Sequence, residues 1–96
     1  MLTIRKTDVF AAWLDGLRDL AGRARIQARI ERLAMGHPGD VRPVGEGVSE
    51  LRIACGPGYR VYFTRAGAEL VILLAGGDKS TQRRDIKTAL RLARGL

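Results

Sequence analysis

Val48-Ser49-Glu50-Leu51-Arg52-Ile53-Ala54, Tyr59-Arg60-Val61-Tyr62-Phe63-Thr64-Arg65 and Glu69-Leu70-Val71-Ile72-Leu73-Leu74-Ala75 are three strand-like runs in quick succession. The first two alternate apolar and polar residues, the pattern of strands with one covered face. The reversals between them, Gly56-Pro57-Gly58 and Ala66-Gly67-Ala68, are short enough to force tight turns, and tight turns join antiparallel neighbours. The third run, Leu70 to Leu74, is apolar on both faces and reads as an interior strand.

Upstream, Leu2 and Ile4 alternate with Thr3 and Arg5, a short strand ending at Lys6, after which Thr7 or Asp8 can cap a helix. Phe10, Trp13, Leu14, Leu17, Ala21 and Ala24 form one helical stripe, interrupted at Gly22, where the helix either breaks or kinks. Ile26, Ile30 and Leu33 carry a second helix to Met35, and Gly36-His37-Pro38-Gly39-Asp40 stops it. The two helices predict a hairpin lying on one face of the sheet, with Val41 to Gly47 as a connecting stretch. Downstream, Gly76-Gly77-Asp78-Lys79 reads as a loop, and Ser80 or Thr81 can cap a last helix with the stripe Ile86, Ala89, Leu90 and Ala93. Gly95 fits its C′ position. The order β-α-α-β-β-β-α predicts one α+β domain over residues 1–96: an N-terminal strand, a helical hairpin on an antiparallel sheet and a C-terminal helix.

A net charge of +7 on 96 residues reports on partners rather than on fold. A polyanion or an acidic protein is implied, nucleic acid first, because neutralised phosphates release counterions without needing a shaped pocket. The single cysteine, Cys55, allows no internal disulfide, and with the single histidine, His37, it cannot complete a zinc site. The start MLTIRKTDVF lacks a signal-peptide core, and the longest apolar run, Leu70 to Ala75, is too short to span a membrane. A soluble cytoplasmic protein without a membrane partner is expected.

If the hairpin loop is Gly56-Pro57-Gly58, Arg52 sits opposite Tyr62 and diagonal to Arg60, on one side of the sheet. Two such arginines are either a solvated face partnered by Glu50 or a site for a polyanion that relieves their repulsion. Lys79 follows the buried strand where Ser80, Thr81 and Gln82 start a helix, a place where free N–H groups favour an anion. Arg84, Lys87, Arg91 and Arg94 make a basic stripe on the last helix, and Arg25, Arg29 and Arg32 another on the second. Either stripe is a solvated face or a track for RNA phosphates. The ten acids are scattered, which disfavours a metal site, and His37 in a His-Pro-Gly turn cannot make a histidine pair. Cys55 beside a turn reads as a small filler.

The strings GEGVSELRIACGPGYRVYF, Gly45 to Phe63, and LVILLAGGDKSTQRRDIKTA, Leu70 to Ala89, resemble the RelE/ParE toxin superfamily in its RelE/HigB-like addiction module killer branch. Phe10 to Asp40 resembles the same branch. The resemblance implies a RelE-like fold and the toxin of a type II toxin–antitoxin system: an mRNA endoribonuclease that needs neither metal nor small-molecule cofactor and acts on the ribosome. It implies a helix-turn-helix antitoxin as partner. It also implies that Arg52, Arg60 and Lys79 surround the scissile phosphate, with Arg60 as principal clamp. Some family members carry a basic residue where Glu50 stands and a tyrosine in the last helix, which this chain lacks. Glu50 is then a candidate general base, and Tyr62 a candidate for stacking or proton transfer. Two other functions share the fold or the charge: a ParE-like toxin that docks on DNA gyrase without cleavage, and a basic RNA- or protein-binding module. The trio Arg52, Arg60 and Lys79 favours the nuclease over the gyrase binder.

Overall fold

The computed structural model describes residues 1–96. Along the chain lie β1 (Thr3–Lys6), α1 (Asp8–Asp15), α2 (Leu20–Ala34), β2 (Val41–Gly45), β3 (Val48–Ile53), β4 (Tyr59–Ala66), β5 (Leu70–Gly77), a 3-10 turn (Lys79–Thr81) and α3 (Gln82–Arg94). They form a five-stranded sheet in the order β1-β5-β4-β3-β2, so β5 is interior as its two apolar faces require. This is the α+β, RelE-like arrangement, with one difference. The sheet is mixed, because β2 to β5 form an antiparallel meander while β1 pairs parallel to β5. Alternation within β1 reveals a strand but not the direction of a partner 67 residues away, which Thr7 fixes by donating its hydroxyl to Leu74 O at 2.6 Å.

The helix break falls earlier than Gly22. Asp15 ends α1, Gly16 caps it, and Asp19 starts α2 by accepting the Gly22 N–H at 3.0 Å. Gly22 therefore lies inside the first turn of α2, where a Cβ would come within 2.5 Å of the Tyr59 ring. Its missing side chain serves close packing, not a bend. Ala21 and Ala24 are exposed, so the first stripe ends at Leu17 and the second restarts at Ile26. The end of α2 is a Schellman motif: Gly36, at φ +87°, donates to Leu33 O, and His37 N–H donates to Arg32 O at 2.9 Å.

Val41–Gly45 is a strand rather than a connection, and it carries Pro43 because β2 is an edge with no outer neighbour to receive an N–H. On one face of the sheet, Phe10, Leu14, Ile26 and Leu33 from the helical pair meet Leu51, Ile53, Val61, Phe63, Val71 and Leu73. On the other, α3 packs Ala89 against Val48, Tyr62, Leu74 and Ala75. A bulge places Tyr62 opposite Ala75 and Phe63 opposite Leu73, so Leu74 is the extra residue of β5. Beyond it the facing of β5 changes. Gly76 and Gly77 are the last residues of that strand, not a loop: a Cβ on Gly76 would enter the Trp13 ring, and one on Gly77 would strike Asp85 Oδ2. The absent side chains let α1 and α3 close over the end of the sheet where the charged residues gather. No helix is long and apolar enough to cross a membrane.

Candidate functional site

The β3–β4 reversal takes five residues, Ala54 to Gly58, not three. Cys55 N–H turns back to Ile53 O at 2.9 Å and Gly58 N–H to Cys55 O at 3.0 Å, which removes Ala54 and Cys55 from the ladder. Gly56 and Gly58 take φ +53° and +80° to make that turn. The register expected from a three-residue loop is corrected accordingly. Arg52 pairs directly with Arg60, and Glu50 with Tyr62.

Two guanidinium groups thus lie side by side with one carboxylate beneath them. Glu50 is only 2% exposed. Its Oε2 accepts the Tyr62 hydroxyl at 3.0 Å and Gln82 Nε2 at 2.8 Å, while Oε1 lies 3.3 Å from Arg52 Nε and Oε2 lies 3.8 Å from Arg60 Nε. The pairing is Coulombic but poorly aligned, and Nε of both arginines is buried without a hydrogen-bond acceptor. Arg60, 8% exposed, donates through Nη1 to Gly58 O. One buried acid is shared by the buried Arg60 and the half-buried Arg52, both Nε donors stay unmet, and unmet donors in low dielectric favour an added anion.

Lys79 completes the group from the 3-10 turn. With Arg52 and Arg60 it lines a cavity of about 190 Å³ whose other walls are Asp40, Ile53, Ala54 and Gly58. Lys79 forms no ion pair within the chain. Tyr62 is wholly buried, so it cannot stack on a base. Burial, the Glu50 charge and the bond to it push its phenol well above the ordinary range, so that it holds its proton.

The start of the last helix differs from the expectation of free N–H groups awaiting a phosphate. Thr81 stands at the N-cap of α3 as expected, though without a side-chain cap bond, and Asp78 caps the 3-10 turn before it: its Oδ1 accepts both the Ser80 N–H and the Ser80 hydroxyl. The carboxylate already fills the place of an anion. The Ser80 bonds hold the Asp78 carboxyl below the usual carboxylate range, with the Arg60 charge contributing in the same direction. Gly95 ends α3 at φ −87°, so it is not a left-handed C′ glycine.

The remaining cations divide. Arg29 donates to Arg52 O at 2.7 Å and to Pro38 O at 2.9 Å, so it clamps the α2–β2 loop onto β3. Arg25 is exposed on α2, a helix that covers the opposite face of the sheet from the arginine pair. Arg84 and Lys87, with Arg83, line a polar depression beside Ser80 and Thr81, and Arg91 is exposed further along α3. Arg94 is tied to Glu46 by two bonds of 2.8 and 2.6 Å. No three His, Cys, Asp or Glu side chains lie close enough together to hold a metal ion. Cys55 packs against the core, and His37 is exposed in its turn. Sequence reasoning missed Gln82, Asp40 and Asp85. Gln82 and Asp85 could have been suspected from their place in the first turn of α3, whose apolar stripe faces the sheet.

Residues 12–94 match the family model described as Phage derived protein Gp49-like (DUF891). The chain belongs to the Gp49-like family. The match runs from α1 through α3, so every residue of the arginine cluster falls within it. An uncharacterized protein of Haemophilus influenzae is 50% identical over 95 residues, which cover 99% of this chain and 96% of that protein. Gp49-like proteins are associated with the toxin side of toxin–antitoxin addiction modules.

Proposed function

We propose that this Gp49-like protein is the toxin of a type II pair, a RelE-like endoribonuclease that cuts messenger RNA in the cytoplasm, on the ribosome, and is neutralised by a helix-turn-helix antitoxin. The observation that carries this reading is the cavity shared by Arg52, Arg60 and Lys79, in which Arg60 is nearly buried and keeps an unmet donor. The size suits one backbone phosphate. In the reaction, a ribose 2′-oxygen attacks its own 3′-phosphate, the P–O5′ bond breaks, and a 2′,3′-cyclic phosphate and a 5′-hydroxyl result. Negative charge builds on the non-bridging oxygens, where fixed guanidinium groups act in place of a metal.

Arg60 is the principal clamp, Arg52 the second, and Lys79 supplies mobile charge at the rim. Glu50 and Tyr62 are positioning residues, since the carboxylate is buried with its oxygens engaged and the phenol is turned toward it. Arg84, Lys87 and Arg91 extend the basic surface along α3 for neighbouring phosphates, and Arg25 serves only an RNA long enough to reach α2. Arg29 holds the loop rather than RNA. The test is expression of wild-type and Arg60→Ala chains followed by mapping of RNA 5′ ends. Ribosome-dependent cuts are expected from the first. The folded variant should lose at least ~100-fold in cleavage, from removal of about 3 kcal/mol of charge stabilisation. Undiminished cutting by folded Arg60→Ala, or growth arrest with intact RNA, overturns the reading.

A further inference from the structure

Asp40 is an acid in the wall of a cavity otherwise suited to an anion. It has no salt bridge and its carboxylate accepts no hydrogen bond, although Arg52, Arg60 and Lys79 line the same space. A free carboxylate there weakens phosphate binding by repulsion. Its place is nonetheless held firmly: Arg52 N–H donates to Asp40 O at 3.0 Å, and the Arg29 guanidinium pins Pro38 O and Arg52 O together. Gly39, at φ +72°, lets the loop pass over that guanidinium, where a Cβ would lie 3.0 Å from Arg29 Nη2.

We propose that Asp40 is the general base that takes the proton from the attacking 2′-hydroxyl, an inference that rests on the ribonuclease reading. Glu50, the other carboxylate beside the arginines, is sealed beneath them with Tyr62 and Gln82 bonded to it. A base must reach the proton it abstracts. Asp40 is exposed and stands at the cavity wall, on the α2–β2 loop, so a phosphate held by Arg52 and Arg60 brings its own ribose toward it. The proton passes to an Asp40 oxygen as the 2′-O–P bond forms. The P–O5′ bond then breaks, and the departing oxygen takes a proton from the Lys79 ammonium. Protons and charge balance without a metal or a co-reactant.

The experiment uses ribosomes programmed with a defined messenger RNA, the full-length chain, and the variants Asp40→Asn, Asp40→Ala and Arg60→Ala, each first shown to be folded by circular dichroism. Asp40→Asn should bind the programmed ribosomes at least as tightly as wild type, since a repelling charge is gone, yet cleave about 100-fold more slowly. Added formate should restore part of the rate to Asp40→Ala and none to Arg60→Ala. Asp40→Asn cutting within about 2-fold of wild type, or Asp40→Ala indifferent to formate, removes Asp40 from the chemistry while an inactive Arg60→Ala leaves the ribonuclease reading standing. Wild type that cuts nothing, or Arg60→Ala that cuts normally, sinks the ribonuclease reading itself.

Discussion

The two faces of the sheet are built on different physics. Under α1 and α2 the contacts are apolar, from Phe10 and Ile26 to Val61, Val71 and Leu73. Under the start of α3 the same strands bury Glu50, Tyr62 and Arg60, and α3 adds Gln82 and Asp85. The first face gains stability from area removed from water. The second takes charges out of water and leaves two arginine Nε donors unmet, an arrangement that an apolar replacement would often equal or better in stability. A fold keeps such a site at the expense of stability when the site has work to do, which is why the charged corner and not the larger groove beside Ile4, Phe10 and Leu14 draws the functional assignment.

That contrast can be broken by substitution. Phe10→Ala should cost about 3–5 kcal/mol by opening a void in the apolar layer, read as a lower denaturant midpoint. Glu50→Ala should cost a similar ~3–5 kcal/mol for a different reason, because Arg52 and Arg60 lose their shared counter-charge. The discriminating variant replaces Glu50, Arg52 and Arg60 together with Leu, Met and Met. It should be as stable as wild type or more so, and inactive. If it unfolds like Glu50→Ala alone, the charged cluster is a structural element and the contrast between the faces is wrong.

A smaller effect separates the faces by pH. Tyr59 donates to Asp19 Oδ2 at 2.7 Å, and that bond, with burial, pushes its phenol from 10.0 up to about 12. The folded state therefore holds this proton more tightly than the unfolded chain. Its contribution is complete below pH 10.0 and disappears as pH rises through about 12. Tyrosinate absorbance should show no component near 10.0 in the folded protein, and Tyr59→Phe should flatten the loss of stability across that window; a phenol titrating near 10.0 would contradict the bond. The partner behaves oppositely, since the Gly22 N–H and then the Tyr59 hydroxyl hold Asp19 below the usual range.

Much of the fold was legible because its signals are local. Alternation in Val48–Ile53 and Tyr59–Ala66, the stripe on α3 and the stop at Gly36 all act within a few residues. The failures involve contacts between distant residues. Gly22, Gly76 and Gly77 look like punctuation in a linear reading, but each is small because Tyr59, Trp13 or Asp85 presses against it. Pro43 hid an edge strand. Around the cavity, Arg52 and Arg60 stand out by residue type and strand position and Lys79 by its place after the last strand, whereas the pairing of the arginines depends on the length of one turn, five residues rather than three. Asp40 gave no signal at all, since long-range contacts, the Arg29 clamp and the Arg52 N–H bond to Asp40 O, bring its loop to the arginines.

The most direct measurement is the chemistry of the RNA ends. The full-length protein is added to ribosomes translating a defined message, and the termini of the fragments are identified. Cuts that leave 5′-hydroxyl and 2′,3′-cyclic phosphate termini are the predicted result, because the ribose 2′-oxygen is the nucleophile and fixed guanidinium charge carries the reaction. Uncut RNA, or cuts that leave 5′-phosphates, would contradict it.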